Sequence, residues 1–146
     1  MGESGRLTGR CLCGAVSFTA VPSKMEMDVC HCGMCRRWSG GAFMAVGCGT
    51  SLEVADEADL GVYRSSEWGE RAFCKKCGSS LFWRGVHDGS VAVSMQAFAE
   101  PERFNFVEEI FVDDKPANYA FANETRRLTG AEVVAAYAAK QEANNG

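Results

Sequence analysis

The sequence predicts a mostly β protein of short antiparallel strands, followed by one C-terminal helix. Three observations support this fold class. Short segments rich in β-branched and aromatic residues recur along the chain, and residues that favour turns separate them. Seven of the eight cysteines fall into three close clusters, a spacing typical of metal ligands that hold strands together. One stretch near the C-terminus carries the start signal of a helix.

Six segments have the length and composition of strands. The first follows the first cysteine pair, and the second is entered through the pair Gly40-Gly41. Glycine, proline and aspartate lie between the later ones, where turns are expected. Short strands at this spacing favour antiparallel pairing over a βαβ array. In chain order the predicted strands are 15–21, 40–46, 60–65, 80–84, 90–95 and 106–112.

A C-terminal helix is predicted over residues 128–140. Thr129 and Glu132 fit a capping box, in which each side chain accepts a hydrogen bond from a free backbone N–H at the helix start. Leu128 and Val133 are spaced as a hydrophobic staple. An apolar face at helical spacing then follows, made of Val133, Val134, Tyr137 and Ala138.

Length and composition indicate one globular domain over residues 1–146. The hydrophobic content of 47% is enough for a core without disulfides. The net charge of −4 gives little help to binding a polyanion such as nucleic acid, and no apolar run is long enough to cross a membrane. The first ten residues lack the apolar core of a secretory leader, so we expect a cytoplasmic protein with reduced thiols. An all-disulfide arrangement is the alternative, and the close cysteine spacing weighs against it.

The outer two cysteine clusters predict a closed metal site. Cys11 and Cys13 are separated by one residue, Cys74 and Cys77 by two, and a glycine that can relieve a tight turn follows each pair. Thiolates are soft ligands, and four of them close a tetrahedral zinc site. Such a zinc would stabilise the fold, by on the order of 10 kcal/mol.

The middle cluster, Cys30, Cys32 and Cys35, predicts a second zinc with an open position. Three ligands leave room for water or substrate, which is the arrangement of a catalytic zinc. His31 lies between two of these ligands, and we expect it to pack or hydrogen-bond behind the site, with direct ligation as the alternative. Cys48 belongs to no cluster and is expected to be a buried thiol.

Three motifs resemble the glutathione-dependent formaldehyde-activating enzyme family, which includes the centromere protein V type domain. They are Gly9-Arg-Cys-Leu-Cys-Gly14, Cys30-His-Cys-Gly-Met-Cys-Arg-Arg37 with Gly40 and Gly41, and Phe73-Cys-Lys-Lys-Cys-Gly-Ser79. A weaker match runs from Ile110-Phe-Val-Asp-Asp-Lys-Pro116 to Tyr119, so the similarity covers about residues 6–120. The resemblance implies a zinc-supported β-tent. It also implies a structural zinc at Cys11, Cys13, Cys74 and Cys77, and a catalytic zinc at Cys30, Cys32 and Cys35.

The family resemblance implies a carbon–sulfur lyase that joins glutathione and formaldehyde into S-hydroxymethylglutathione, in either direction. We therefore expect a small-molecule thiol and an aldehyde as partners, with no nucleic acid and no membrane. Arg36, Arg37 and Lys76 are the cations placed to hold a carboxylate of the thiol substrate.

Two other functions fit the same sequence. A non-catalytic zinc scaffold would have its three-cysteine site empty, disulfide-bonded or closed by a fourth ligand such as His31. A thiol redox enzyme, similar to methionine sulfoxide reductases, would need an exposed and activated cysteine outside the structural site. Cys48 is the unclustered candidate for that role.

Overall fold

The computed structural model describes residues 5–145 and confirms a mostly β architecture with a C-terminal helix. Backbone contacts divide the chain into two compact units, formed by residues 5–27 with 44–105 and by residues 28–43 with 106–145. The organisation as a single domain stays a prediction. No helix within residues 5–145 has the length and apolar character needed to cross a membrane.

Eleven strands and two α-helices make up the part of the chain that the structure describes. In chain order they are β1 Leu7–Arg10, β2 Ser17–Ala20, β3 Glu26–Cys30, α1 Gly33–Ser39, β4 Phe43–Gly47, β5 Glu53–Val54, β6 Leu60–Arg64, β7 Gly69–Cys74, β8 Ser80–Gly85, β9 Val91–Ser94, β10 Asn105–Ile110, β11 Arg126–Leu128 and α2 Gly130–Asn145.

The first unit contains two antiparallel arrangements of strands. One is the three-stranded sheet β1-β2-β5, and the other runs in the order β4-β9-β8-β7-β6. Phe18 on β2 is buried and meets Phe98 edge-on, with ring centroids 5.5 Å apart. Phe98 also packs on Phe104 at 5.1 Å. These aromatic contacts help to hold the segment that carries the first cysteine pair.

The second unit contains residues 28–30 of β3, together with β10, β11 and both helices. The strand order is β11-β10-β3, and β10 pairs with β11 in parallel. Helix α2 begins at the predicted capping box. The Glu132 carboxylate accepts from the Thr129 N–H at 2.7 Å, and the Thr129 hydroxyl accepts from the Glu132 N–H at 3.2 Å. The expected apolar face is only partly covered, because Val133 and Tyr137 are half-buried while Val134 is 60% exposed.

Each of the six predicted strands overlaps an observed one, but the boundary at Gly40 was wrong. Gly40 ends helix α1 in a left-handed conformation, with φ of 82°, and its N–H donates to the Arg36 carbonyl. Strand β4 therefore starts at Phe43. Helix α1 was not predicted, because it has seven residues and a single buried one, Cys35, and therefore no apolar stripe.

Candidate metal centres

The outer two cysteine pairs meet in the first unit. The sulfurs of Cys11, Cys13, Cys74 and Cys77 all lie within 4.8 Å of one another. The Cys11 and Cys13 sulfurs are 3.7 Å apart, and those of Cys13 and Cys74 are 3.8 Å apart. Zinc–sulfur bonds of about 2.3 Å in a tetrahedron place the sulfurs about 3.8 Å apart. The four thiols therefore fit a closed zinc site.

Backbone N–H groups point at the sulfurs of this four-cysteine site. The Cys11 sulfur accepts from the Val16 N–H at 3.3 Å. The Cys74 sulfur accepts from the N–H groups of Lys76 and Cys77, at 3.3 and 3.4 Å. Hydrogen bonds of this kind stabilise thiolate charge, so each turn is preorganised for the deprotonated form that binds metal.

Two glycines and one serine complete the turns. Gly14 and Gly78 have φ of 85° and 80°, a conformation that glycine adopts without strain. The Ser79 hydroxyl accepts from the Leu12 N–H at 2.9 Å and lies 3.2 Å from the Cys77 sulfur, so it links the two pairs. Hydrogen bonds from the Ser79 side chain and backbone lower the pKa of Cys77 to about 5.

The middle cluster forms a separate three-cysteine site in the second unit. Cys30 ends β3, Cys32 caps the N-terminus of α1, and Cys35 lies in its first turn. Their sulfurs lie within 4.8 Å of one another, and the Cys32 sulfur accepts from the Cys35 N–H at 3.4 Å. Hydrogen bonding with Cys32 and Cys35, together with burial, raises the pKa of Cys30. Ionisation of the three thiols in one place is therefore unfavourable unless a positive charge, such as a metal ion, lies beside them.

His31 does not complete the three-cysteine site. Its Nδ1 lies 2.7 Å from the Tyr119 hydroxyl, and its Nε2 lies 2.8 Å from a carboxylate oxygen of Glu109. Both ring nitrogens are thus engaged elsewhere, as expected for a hydrogen-bonding role behind the site. Within residues 5–145, the ligand-type side chains gathered at this cluster are the three cysteines.

Cys48 lacks the properties of a redox nucleophile. Its side chain is 1% exposed, and its thiol donates to the Val46 carbonyl at 3.5 Å. Burial raises the pKa of Cys48 to about 12. None of the eight cysteines forms a disulfide. Cys48 is therefore not the exposed, activated cysteine that the alternative of a thiol redox enzyme requires.

The three predicted carboxylate anchors differ in their surroundings. The Arg36 guanidinium donates to the carbonyls of His31, at 2.9 Å, and Asp114, at 3.4 Å, so it supports the fold. Lys76 forms an ion pair with Asp59 at 3.6 Å in the first unit. Arg37 is exposed on α1, two residues after Cys35.

The buried carboxylate beside His31, that of Glu109, was not predicted from the sequence. Glu109 is 3% exposed and lies in the predicted strand 106–112 beside a second glutamate, Glu108. Adjacent residues of a strand face opposite sides, so one of the two had to point inwards. This alternation of the two glutamates was the sequence feature that could have predicted a buried carboxylate.

The chain is therefore a mostly β protein with two clusters of soft ligands, each of which could hold a metal ion. Residues 6–114 match the family model described as glutathione-dependent formaldehyde-activating enzyme. The chain belongs to this family.

Individual relatives agree with the family match. An uncharacterized lyase of Schizosaccharomyces pombe is 35% identical over 127 residues, which cover 86% of this chain and 93% of the relative. A Halomonas elongata protein, provisionally named glutathione-dependent formaldehyde-activating enzyme, is 31% identical over 70% of this chain and 75% of its own length. A crystal structure of a Rhodobacter sphaeroides protein shares the fold, with a TM-score of 0.56 and 22% identity, over 64% of this chain and 88% of that protein.

Proposed function

We propose that this protein is a zinc-dependent carbon–sulfur lyase. It adds a small thiol such as glutathione to formaldehyde or a related aldehyde, and it catalyses the reverse cleavage. The reaction takes place at Cys30, Cys32 and Cys35, while Cys11, Cys13, Cys74 and Cys77 hold a structural zinc. The observation that carries the proposal is the convergence of three sulfurs within 4.8 Å, with no fourth ligand from residues 5–145.

Family membership and the chemistry of the ligands support this function. The S. pombe relative's name points to a lyase, and the family name supplies the thiol and the aldehyde. Three thiolates fit zinc and leave a position for an exogenous group. When bound, the zinc would supply positive charge to stabilise a thiolate or polarise a carbonyl oxygen.

The residues of the chain determine where the two reactants meet. The thiol loses its proton, its sulfur donates an electron pair to the aldehyde carbon, and the carbonyl π pair moves to oxygen, which takes up the proton that the thiol lost. Cys30, Cys32 and Cys35 fix where this addition occurs, and orientation alone lowers the barrier. His31 stays out of the ligand set, because Tyr119 and Glu109 occupy its ring nitrogens. A metal held by the three cysteines would therefore keep a position for substrate.

Arg37 is the residue that we assign to a substrate carboxylate. It is exposed on the helix that carries Cys35, whereas Arg36 donates to two carbonyls and Lys76 pairs with Asp59. A guanidinium presents several N–H donors to a carboxylate. Glutathione carries two carboxylates, so it fits this anchor.

Cys32→Ser tests the proposed function. The variant should fold like the wild type and keep the metal of the four-cysteine site, because that site has its own ligands. It should bind one zinc instead of two and lose hemithioacetal formation. Zinc content, circular dichroism and an assay with several thiols and aldehydes measure these outcomes, with Cys48→Ala as the control.

The same assay separates the proposed enzyme from a zinc scaffold. Unchanged turnover in Cys32→Ser would rule out the three-cysteine site as the catalytic centre. A wild-type protein with one zinc, a disulfide and no turnover would favour the scaffold.

A further inference from the structure

Every polar group of His31, on its backbone and on its ring, contacts another group of the protein. Its N–H donates to the Ile110 carbonyl at 3.0 Å, and its own carbonyl accepts from the Arg36 Nε at 2.9 Å. Its ring nitrogens lie at hydrogen-bond distance from Tyr119 and Glu109. The side chain is fully buried. A residue fixed on the backbone and on both sides of the ring has one available geometry.

The carboxylate behind His31 is itself held by several groups. One oxygen of Glu109 faces His31, and the other accepts from the Thr125 hydroxyl at 2.6 Å and lies 3.5 Å from the Arg127 Nε. Burial raises the pKa of Glu109, but these hydrogen bonds and positive charges outweigh it, so the pKa lies below its usual value. An ionised carboxylate only accepts, so Nε2 of His31 carries the proton.

Burying these charged and polar groups has no clear advantage for stability alone. Burial of a charged carboxylate costs free energy that its partners only offset, whereas a satisfied polar network specifies one arrangement. The arrangement specified here includes the backbone between Cys30 and Cys32. Through Arg36, it also includes the helix that carries Cys35.

We propose that His31 is a positioning residue for the three-cysteine site, and that Glu109 and Tyr119 act through it. The network holds the backbone of the three cysteines at the spacing required by a metal ion with an open coordination position. A site with three protein ligands has fewer metal bonds to fix its own geometry than a site with four, so it depends more on such partners. This inference rests on the proposed metal binding by Cys30, Cys32 and Cys35.

Cobalt binding to the whole protein tests the inference. Tyr119→Phe removes one hydroxyl from a half-buried side chain, and Glu109→Ala removes the carboxylate. Groups that hydrogen-bond directly to a metal ligand typically contribute a factor of about 10–100 to metal affinity. Tyr119 acts one residue further away, through His31, so we expect the low end of that range, about tenfold weaker cobalt binding at the three-cysteine site in Tyr119→Phe. A larger loss is expected in Glu109→Ala. The sulfur-to-cobalt absorption band of that site should shift, while the four-cysteine site keeps its affinity and spectrum.

Two further variants separate positioning from general stability. Tyr63→Phe makes the same chemical change at an exposed tyrosine of the first unit and should alter neither site. Glu109→Gln keeps an oxygen that can accept from His31 and should restore much of the affinity lost in Glu109→Ala. If Glu109→Ala does not fold, the cobalt affinity and spectrum of Tyr119→Phe alone decide the test.

The outcomes distinguish this inference from the proposed function. Two cobalt ions in the wild type, with unchanged affinity and spectrum in Tyr119→Phe and Glu109→Ala, would overturn the positioning role alone. One cobalt ion in the wild type, bound by the four-cysteine site, would overturn both the positioning role and the proposed function.

Discussion

The four-cysteine site and the three-cysteine site use the same ligand atom but are built differently. In the four-cysteine site, Ser79 and nearby backbone N–H groups contact the sulfurs directly. In the three-cysteine site the backbone N–H of Cys35 contacts the Cys32 sulfur, and further support comes through His31 from Glu109, which is 78 residues away in the sequence. A closed site can be stabilised by its own turns, whereas an open site relies on distant groups to keep its shape.

Removal of one ligand from the four-cysteine site should have the largest effect. Cys74→Ser deletes a buried ligand, and structural zinc contributes on the order of 10 kcal/mol. That loss is comparable to the whole stability of a typical domain, about 5–15 kcal/mol. We expect a largely unfolded, zinc-poor protein, measured by circular dichroism and metal analysis.

Cys48→Ala is the matched control for Cys74→Ser, because it removes an equally buried thiol from outside both clusters. It should fold and keep its metal. A Cys74→Ser protein that melts at the wild-type temperature with full zinc content would contradict the structural role of the four-cysteine site.

Gly9→Ala should have an intermediate effect on stability, and it should change zinc release from the four-cysteine site alone. A Cβ at Gly9, two residues before Cys11, would lie 2.4 Å from the Phe18 ring and 2.7 Å from the Ala97 carbonyl oxygen. Overpacking of this kind costs about 1–3 kcal/mol. We expect that loss in chemical denaturation, together with faster zinc release from the four-cysteine site and unchanged release from the three-cysteine site.

Gly47→Ala is the control for Gly9→Ala. Gly47 also lies in a strand, β4, and a Cβ there meets no atom within 4 Å. The substitution should be neutral, or stabilise by up to about 1 kcal/mol through the unfolded state. Equal stability of the two variants would show that the close packing around Gly9 does not support the four-cysteine site.

The seven clustered cysteines could be assigned to two groups from the sequence, because metal ligands come in short local spacings. The structure brings both groups together as predicted. The contacts of His31 with Glu109 and Tyr119 could not be assigned in this way. They depend on which segments the fold brings together, and no short motif encodes that.

Some strands could not be predicted from the sequence either, for a different reason. Strand β7 was missed because Glu70 and Arg71 give it a polar composition, yet Arg71 is only 4% exposed. Strand β3 does alternate, with Met27 and Val29 buried, but it is short and leads directly into the cysteines. Composition identified strands that contain mainly apolar and β-branched residues, β10 with its buried Glu109 among them, and it failed for a strand of polar composition and for a short one beside the cysteines.

Arg37→Ala should have the smallest effect, and it separates substrate binding from metal binding at the three-cysteine site. Exposed ion pairs contribute about 0.2–1 kcal/mol, so the KM for glutathione should rise by no more than about fivefold. The kcat value and the zinc content should stay the same, because Arg37 is exposed and holds no metal.

An uncharged thiol provides the control for Arg37→Ala. The KM for 2-mercaptoethanol, which has no carboxylate, should be unchanged, and high salt should reduce the difference between the two thiols by screening the charge. Equal effects on both thiols would mean that Arg37 acts on the shape of α1. No effect on either would remove Arg37 from the substrate site and leave the three-cysteine centre without an assigned carboxylate anchor.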